Sequence, residues 1–161
     1  LTEQLIGQRA FGASGFTYCG NLAPPRLPPA ELAALLPEME AIVSHLTESF
    51  GLQGLNGLDF VWQDGHTWTL EVNPRPSASL ELFDLAYGLR VFDLHIRSFN
   101  SHLPDFDLAA ALTNGTAAGK TIVYAPRDIT VGDTSEWASQ GICDIPHSGE
   151  FIKGIISPLV T

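Results

Sequence analysis

The chain has 161 residues, 45% of them hydrophobic and 16% charged, which suits a domain with a packed core and excludes a disordered polymer. The net charge is −10, from 18 acidic and 8 basic residues. No cluster of Lys and Arg offers a nucleic-acid backbone a footprint, so a nucleic-acid partner is excluded.

No apolar run approaches the ~20 residues of a membrane span, and no signal peptide is visible. No membrane partner and a cytoplasmic location are therefore expected. The acidic balance serves solubility and would also suit a site that collects divalent cations. The first residue is Leu1 rather than Met, so the chain is expected to be processed or cut from something longer. Cys19 and Cys143 match no CxxC pattern; they are read as two buried thiols, with one disulfide as the alternative. His45, His66, His95, His102 and His147 are scattered, without metal-ligand spacing.

In chain order, residues 1–22 read as extended, and the prolines at 24, 25, 28 and 29 make a loop or arm. Residues 30–50 give the clearest helix: Leu32, Leu35, Leu36, Met39, Ile42, Val43, Leu46 and Phe50 share one face, and Gly51 stops it. Pro37 predicts a kink, or a short helix ending at Leu36 followed by the main one. Residues 57–62 and 67–73 read as a β-hairpin around Asp64 and Gly65. Helical spacing returns over 80–99, interrupted at Gly88, and Leu108 to Leu112 is a short helix candidate. Beyond a small-residue junction at 114–119, strands are expected at Thr121–Tyr124, Ile129–Val131, Ile142–Ile145 and Phe151–Val160.

The hairpin carries the chemistry. Side chains alternate across a strand, so Thr69, Glu71 and Asn73 share one face, with Trp68, Leu70 and Val72 on the other. A two-residue turn would set Asp59 against Leu70. A three-residue loop of Asp64, Gly65 and His66 pairs Trp62 with Trp68, Phe60 with Leu70 and Asp59 with Glu71, which keeps both faces consistent. Phe60, Trp62, Trp68, Leu70 and Val72 are then expected to face the helix of residues 38–50. Two carboxylates directly opposite each other are destabilising by up to ~1 kcal/mol unless a cation lies between them. Mg²⁺ prefers such oxygen ligands, and Asn73 adds an amide oxygen. The bland alternative is a solvated sheet face. Pro74-Arg75-Pro76-Ser77-Ala78-Ser79 follows, placing a guanidinium beside that face; a salt bridge from Arg75 to Glu71 or Glu81 is an equal reading.

The run Gly51-Leu52-Gln53-Gly54-Leu55-Asn56-Gly57-Leu58-Asp59-Phe60-Val61, then Leu70-Glu71-Val72-Asn73-Pro74-Arg75-Pro76-Ser77-Ala78-Ser79, resembles the ATP-grasp superfamily. It looks most like the carboxylate–amine ligase branch related to biotin carboxylase and the carbamoyl-phosphate synthase large chain. Weaker resemblance extends to Glu3–Gly7 and Tyr18–Leu22. The resemblance implies the C-terminal half of an ATP-grasp domain over residues 1–115, α+β with an antiparallel sheet flanked by helices, and a β-rich appendage over 119–161. It further implies ATP with Mg²⁺ or Mn²⁺ held by Asp59, Glu71 and Asn73, Arg75 on the substrate or phosphoryl group, and activation of a small-molecule carboxylate as an acylphosphate for attack by an amine. The family's glycine-rich loop and phosphate-binding lysines have no match, so the chain is expected to be incompetent alone and to self-associate through an exposed apolar surface.

Three rival readings accompany this one. A non-catalytic interaction or regulatory domain could keep the fold. A plain α+β domain could carry a coincidental acidic hairpin, in which case Asp59 and Glu71 need not converge. A nucleophilic hydrolase fits poorly, because no Gly-x-Ser-x-Gly elbow is present.

Overall fold

A computed structural model describes residues 1–100, 103–108, 110, 111, 116–130 and 133, together with the backbone of 154–157. Among the described residues it is an α+β fold: a four-stranded antiparallel sheet, a separate two-stranded hairpin, and helices packed with them.

The first strands are β1 (Glu3–Ile6) and β2 (Tyr18–Ala23), paired antiparallel with Gln4 opposite Asn21 and Leu5 opposite Gly20. Ile6 meets Tyr18, so Cys19 is an extra residue, and this bulge turns its thiol inward with Leu5 and Ala13. A 3-10 turn at Arg9–Phe11 connects the two strands and closes on Gly12 at φ 72°. A side chain at residue 12 would stand 2.2 Å from the Tyr124 carbonyl oxygen, so the chain crossing there requires glycine.

The long helix α1 (Pro29–Phe50) has proline in its first turn and ends on Gly51 at φ 60°. It runs unbroken through Pro37, so the expected division at Leu36 does not occur. Pro37 and Ala33 both lie on the exposed side, where water can satisfy the carbonyl that loses its donor. Leu35 and Met39 are its buried residues.

The hairpin is β3 (Gly57–Gln63) with β4 (His66–Asn73). Helix α2 (Glu81–Tyr87) stops at Gly88, and α3 (Val91–Asn100) follows. The helical periodicity expected over 80–99 therefore holds, interrupted where Gly88 adopts φ 65°. His95 is a packing residue: its Nδ1 accepts the Leu55 N–H at 3.0 Å, and its ring meets Phe99 edge-on. Leu108, Ala110 and Ala111 are helical, with the Asp107 carboxylate accepting the Ala110 N–H at 2.9 Å.

Two further strands come from the far end of the chain. β5 (Ala118–Ile122) pairs with β2, and β6 (Gly154–Ser157) pairs with β5, giving the order β1-β2-β5-β6. Ile129, expected in a strand, lies outside any element; its neighbours Pro126 and Arg127 form a bend instead. The strand expected at 142–145 falls outside the described residues.

Apolar residues of β1, β2 and β5 are buried on both faces of the larger sheet. Leu5, Ala13 and Cys19 cluster with Phe11, Leu22 and Tyr124 on one side. Ala23 and Ala118 pack with Leu82 and Ala86 of α2 on the other. Small alanines let α2 come down close to the strands. Among the described residues, no helix is long and apolar enough to cross a membrane.

Candidate functional site

Asp59 and Glu71 are direct partners across β3 and β4, and Gly57 faces Asn73 one pair along the same face. That opposition is the one expected, but the route to it differs. The hairpin turns through two residues, Asp64 at φ 53° and Gly65 at φ 76°, so Gln63 pairs with His66. Two consecutive left-handed residues give the tight turn whose twist matches paired strands, and Asp-Gly is a preferred sequence for it. Left uninterrupted, this register would set Asp59 against Leu70. The ladder instead shifts between Asp59 and Phe60, leaving Leu70 as an extra residue.

The expected three-residue loop is therefore wrong, and the partners of the aromatic residues change with it. Trp62 meets Thr67 rather than Trp68, and Phe60 meets Thr69 rather than Leu70. Phe60, Trp62 and Val72 are half-buried. Two acidic side chains of α1 latch this side of the hairpin: Glu31 accepts the Trp62 indole N–H at 3.3 Å, and Glu38 accepts the Thr67 N–H at 3.1 Å. Trp68 and Leu70, expected to face the helix, are instead 61% and 67% exposed. The bulge reverses the alternation, placing Trp68 on the carboxylate side with Val61.

Asp59 is half-buried because β1 approaches it: the Gln4 side-chain amide donates to its Oδ1 at 3.3 Å. Glu71 is exposed and makes no ion pair among the described residues. Arg75 is exposed as well, and its guanidinium donates to the Pro76 carbonyl at 3.3 Å. It makes no salt bridge to Glu71 or Glu81. The backbone folds sharply before it, Arg75 N–H donating to the Asn73 carbonyl at 2.8 Å.

Glu81 is taken by a residue that motif reading missed. Lys120 of β5 is buried, and its Nζ lies 2.8 Å from Glu81 Oε1 while donating to the Ala78 carbonyl at 2.8 Å. The Glu81 contact is an ion pair outside hydrogen-bond alignment, so the compensation for that buried oxygen is Coulombic. Gln4, Asn21 and Lys120 stand side by side across β1, β2 and β5. Asn21 is held from both sides: Tyr18 donates its hydroxyl to the amide oxygen, and the amide donates to Thr2 at 3.1 Å. Burial, with Glu81 and Asp59 among the nearby charges that add to it, pushes the Tyr18 hydroxyl up to about 12, so it remains a donor.

A cavity of about 320 Å³ lies on the other side of the hairpin, lined by Val43, Leu46, Leu58, Val72 and Leu103 among others. It is an apolar space between helices and does not contain Asp59, Glu71 or Asn73.

Residues 1–79 match a family model described as an ATP-grasp domain. Residues 1–79 belong to the ATP-grasp superfamily. The matched region spans β1 through the hairpin and ends at Ser79, so it contains Gln4, Asp59, Glu71, Asn73 and Arg75 and stops short of Glu81 and Lys120. A comparison with curated proteins finds no match. ATP binding and ligase-type chemistry are what an ATP-grasp domain brings.

Asp59, Glu71 and Asn73 suit the Mg²⁺ or Mn²⁺ that such a domain uses. All three supply hard oxygen donors. Among the described residues, no three His, Cys, Asp or Glu side chains gather into a metal cluster. The protein thus offers two carboxylates and an amide, which fits an ion that completes its shell with phosphate and water rather than one held in an all-protein cage.

Proposed function

We propose that this chain supplies the metal–nucleotide face of an ATP-dependent carboxylate–amine ligase, in the branch related to biotin carboxylase and the carbamoyl-phosphate synthase large chain. The observation that carries the reading is the direct opposition of Asp59 and Glu71 across β3 and β4 within the matched region. Repulsion between paired carboxylates is relieved by a bound cation.

Asp59 and Glu71 would hold Mg²⁺ or Mn²⁺ by their carboxylates, and Asn73 would add its amide oxygen. The ions supply charge neutralisation on the ATP phosphates. Gln4 orients the Asp59 carboxylate through the hydrogen bond to Oδ1. Arg75, with no carboxylate partner, is available to steady the oxygens of the substrate carboxylate during its conversion to an acylphosphate, which the amine then attacks. Positioning and electrostatics suffice for these steps, and no side-chain nucleophile is needed.

The test is a Mn²⁺ titration at low salt, with and without ATP. Asp59→Asn and Glu71→Gln should each weaken binding by about tenfold or more, since each removes a charged ligand. Equal binding by both variants and the unaltered chain would sink the reading. Arg75→Ala should leave Mn²⁺ affinity unchanged while lowering ligase turnover in the intact enzyme.

We also propose self-association through exposed apolar surface. Phe92, Ile96 and Phe99 on one stripe of α3 are 59%, 62% and 51% exposed. Sedimentation equilibrium should give a mass above 17.3 kDa; a single monomeric species at high concentration would count against it.

A further inference from the structure

We propose that Lys120 is a positioning residue of the candidate site, holding the loop that follows Asn73 and carries Arg75 against the larger sheet. The proposal rests on the metal–nucleotide reading above and extends it beyond the region matched by the family, which ends at residue 79.

The loop between β4 and α2 begins at Pro74 and ends at Leu80. Its own bonds are local: Arg75 N–H to the Asn73 carbonyl at 2.8 Å, and Leu80 N–H to the Ser77 carbonyl at 3.4 Å. Such bonds shape a loop without placing it. The polar tether to the sheet is Lys120, whose ammonium reaches Ala78 and Glu81 at 2.8 Å each. Ala78 lies within the loop and Glu81 is the first residue of α2, so one ammonium fixes the loop and the helix start together. At the opposite end, Ser77 packs over Gly57, directly beside Asn73.

Stability alone gives little reason for a buried lysine. An ion pair taken out of water gains little over apolar residues of the same volume, because desolvation offsets the attraction. Its return is geometric: a charge with one low-energy arrangement of partners specifies a unique placement. The strand register strengthens this view. Gln4, Asn21 and Lys120 form one row across three strands. One end of the row touches Asp59 through Gln4, and the other touches the loop through Lys120. Both sides of the candidate site are thereby referred to a single rigid platform, with Asn21 locked between them by Tyr18 and Thr2. A shift of the loop against the hairpin would change the distance between the Arg75 guanidinium and the carboxylate pair, and positioned charges lose effect steeply with displacement.

The experiment uses three variants. Lys120→Met leaves the buried Glu81 Oε1 uncompensated and can fail to fold, so Lys120→Met with Glu81→Gln removes both charges together. Lys120→Arg keeps the charge and donors. Thermal midpoints establish which variants are folded. Amide hydrogen exchange is then read at Ser77, Ala78, Ser79 and Leu80, and Mn²⁺ affinity is read with ATP present. In the folded double variant, the loop amides should exchange about tenfold faster while those of β2 and β5 are unchanged. Mn²⁺–ATP affinity should fall by about tenfold, and Lys120→Arg should recover most of it. A folded double variant with normal affinity, or with normal loop exchange, overturns the proposal. If the unaltered chain and Asp59→Asn bind Mn²⁺ equally, the metal reading fails, and the exchange rates alone decide the tether: acceleration upholds Lys120 as the loop's anchor, and no change removes it.

Discussion

Tyr18 keeps its proton well into the alkaline range because burial, with Glu81 as the next cause, moves its pKa from 10.0 to about 12. The unfolded chain loses that proton first. The hydroxyl's contribution to stability is therefore complete below pH 10 and is lost as pH rises from 10 to 12. Thermal melts across this window should show the midpoint falling. Tyr18→Phe should flatten that part of the fall, at a cost of about 1 kcal/mol near neutrality for the lost bond to Asn21. The Glu3 carboxyl moves the other way, held below its ordinary value by hydrogen bonds from Arg26. Its contribution is present above the usual carboxylate range and disappears as acid protonates it. Arg26 is well exposed, so solvent screening keeps the effect small.

The hairpin shows what an element can conceal. Its strands, its turn residues and the meeting of Asp59 with Glu71 were legible, because alternation and an Asp-Gly pair mark them. The loop length was not. A three-residue loop without a bulge and a two-residue turn with an extra residue at Leu70 bring the same carboxylates together. Leu70 fits the alternation of its strand and gives no sign that it leaves the ladder. The difference shows in the partners of Phe60 and Trp62 and in the exposure of Trp68 and Leu70. α1, α2 and α3 were readable from their periodicity and from Gly51 and Gly88 at their ends. Two predictions follow the backbone. Gly65→Ala forces a side chain into φ 76° and should cost about 1–2 kcal/mol in denaturant unfolding. Deleting Leu70 should restore an uninterrupted ladder with Asp59 still facing Glu71. Mn²⁺ binding should survive, and stability should change by no more than about 1 kcal/mol, because the removed side chain is largely exposed.

At the scale of the whole molecule, the larger sheet joins stretches that local sequence sets apart. β5 and β6, placed by the sequence reading in the stretch from 119 onward, share a sheet with β1 and β2. Nothing local announces that Asn21 will lie beside Lys120, so the row of polar side chains could not be read from spacing. The slowest amide exchange should fall in β2 and β5, each flanked on both sides, with faster exchange in the two-stranded hairpin. This order of strands also bears on how the chain is born. β2 leaves the ribosome early, yet its neighbour β5 follows only after α1, the hairpin, α2 and α3 have all been made. Until then the far edge of β2 stands open, with Leu22 and Ala23 lacking their partners Gly119 and Ala118. An open edge beside apolar residues invites the wrong strand, so the nascent chain has most to gain from a holding chaperone in the interval before β5 arrives.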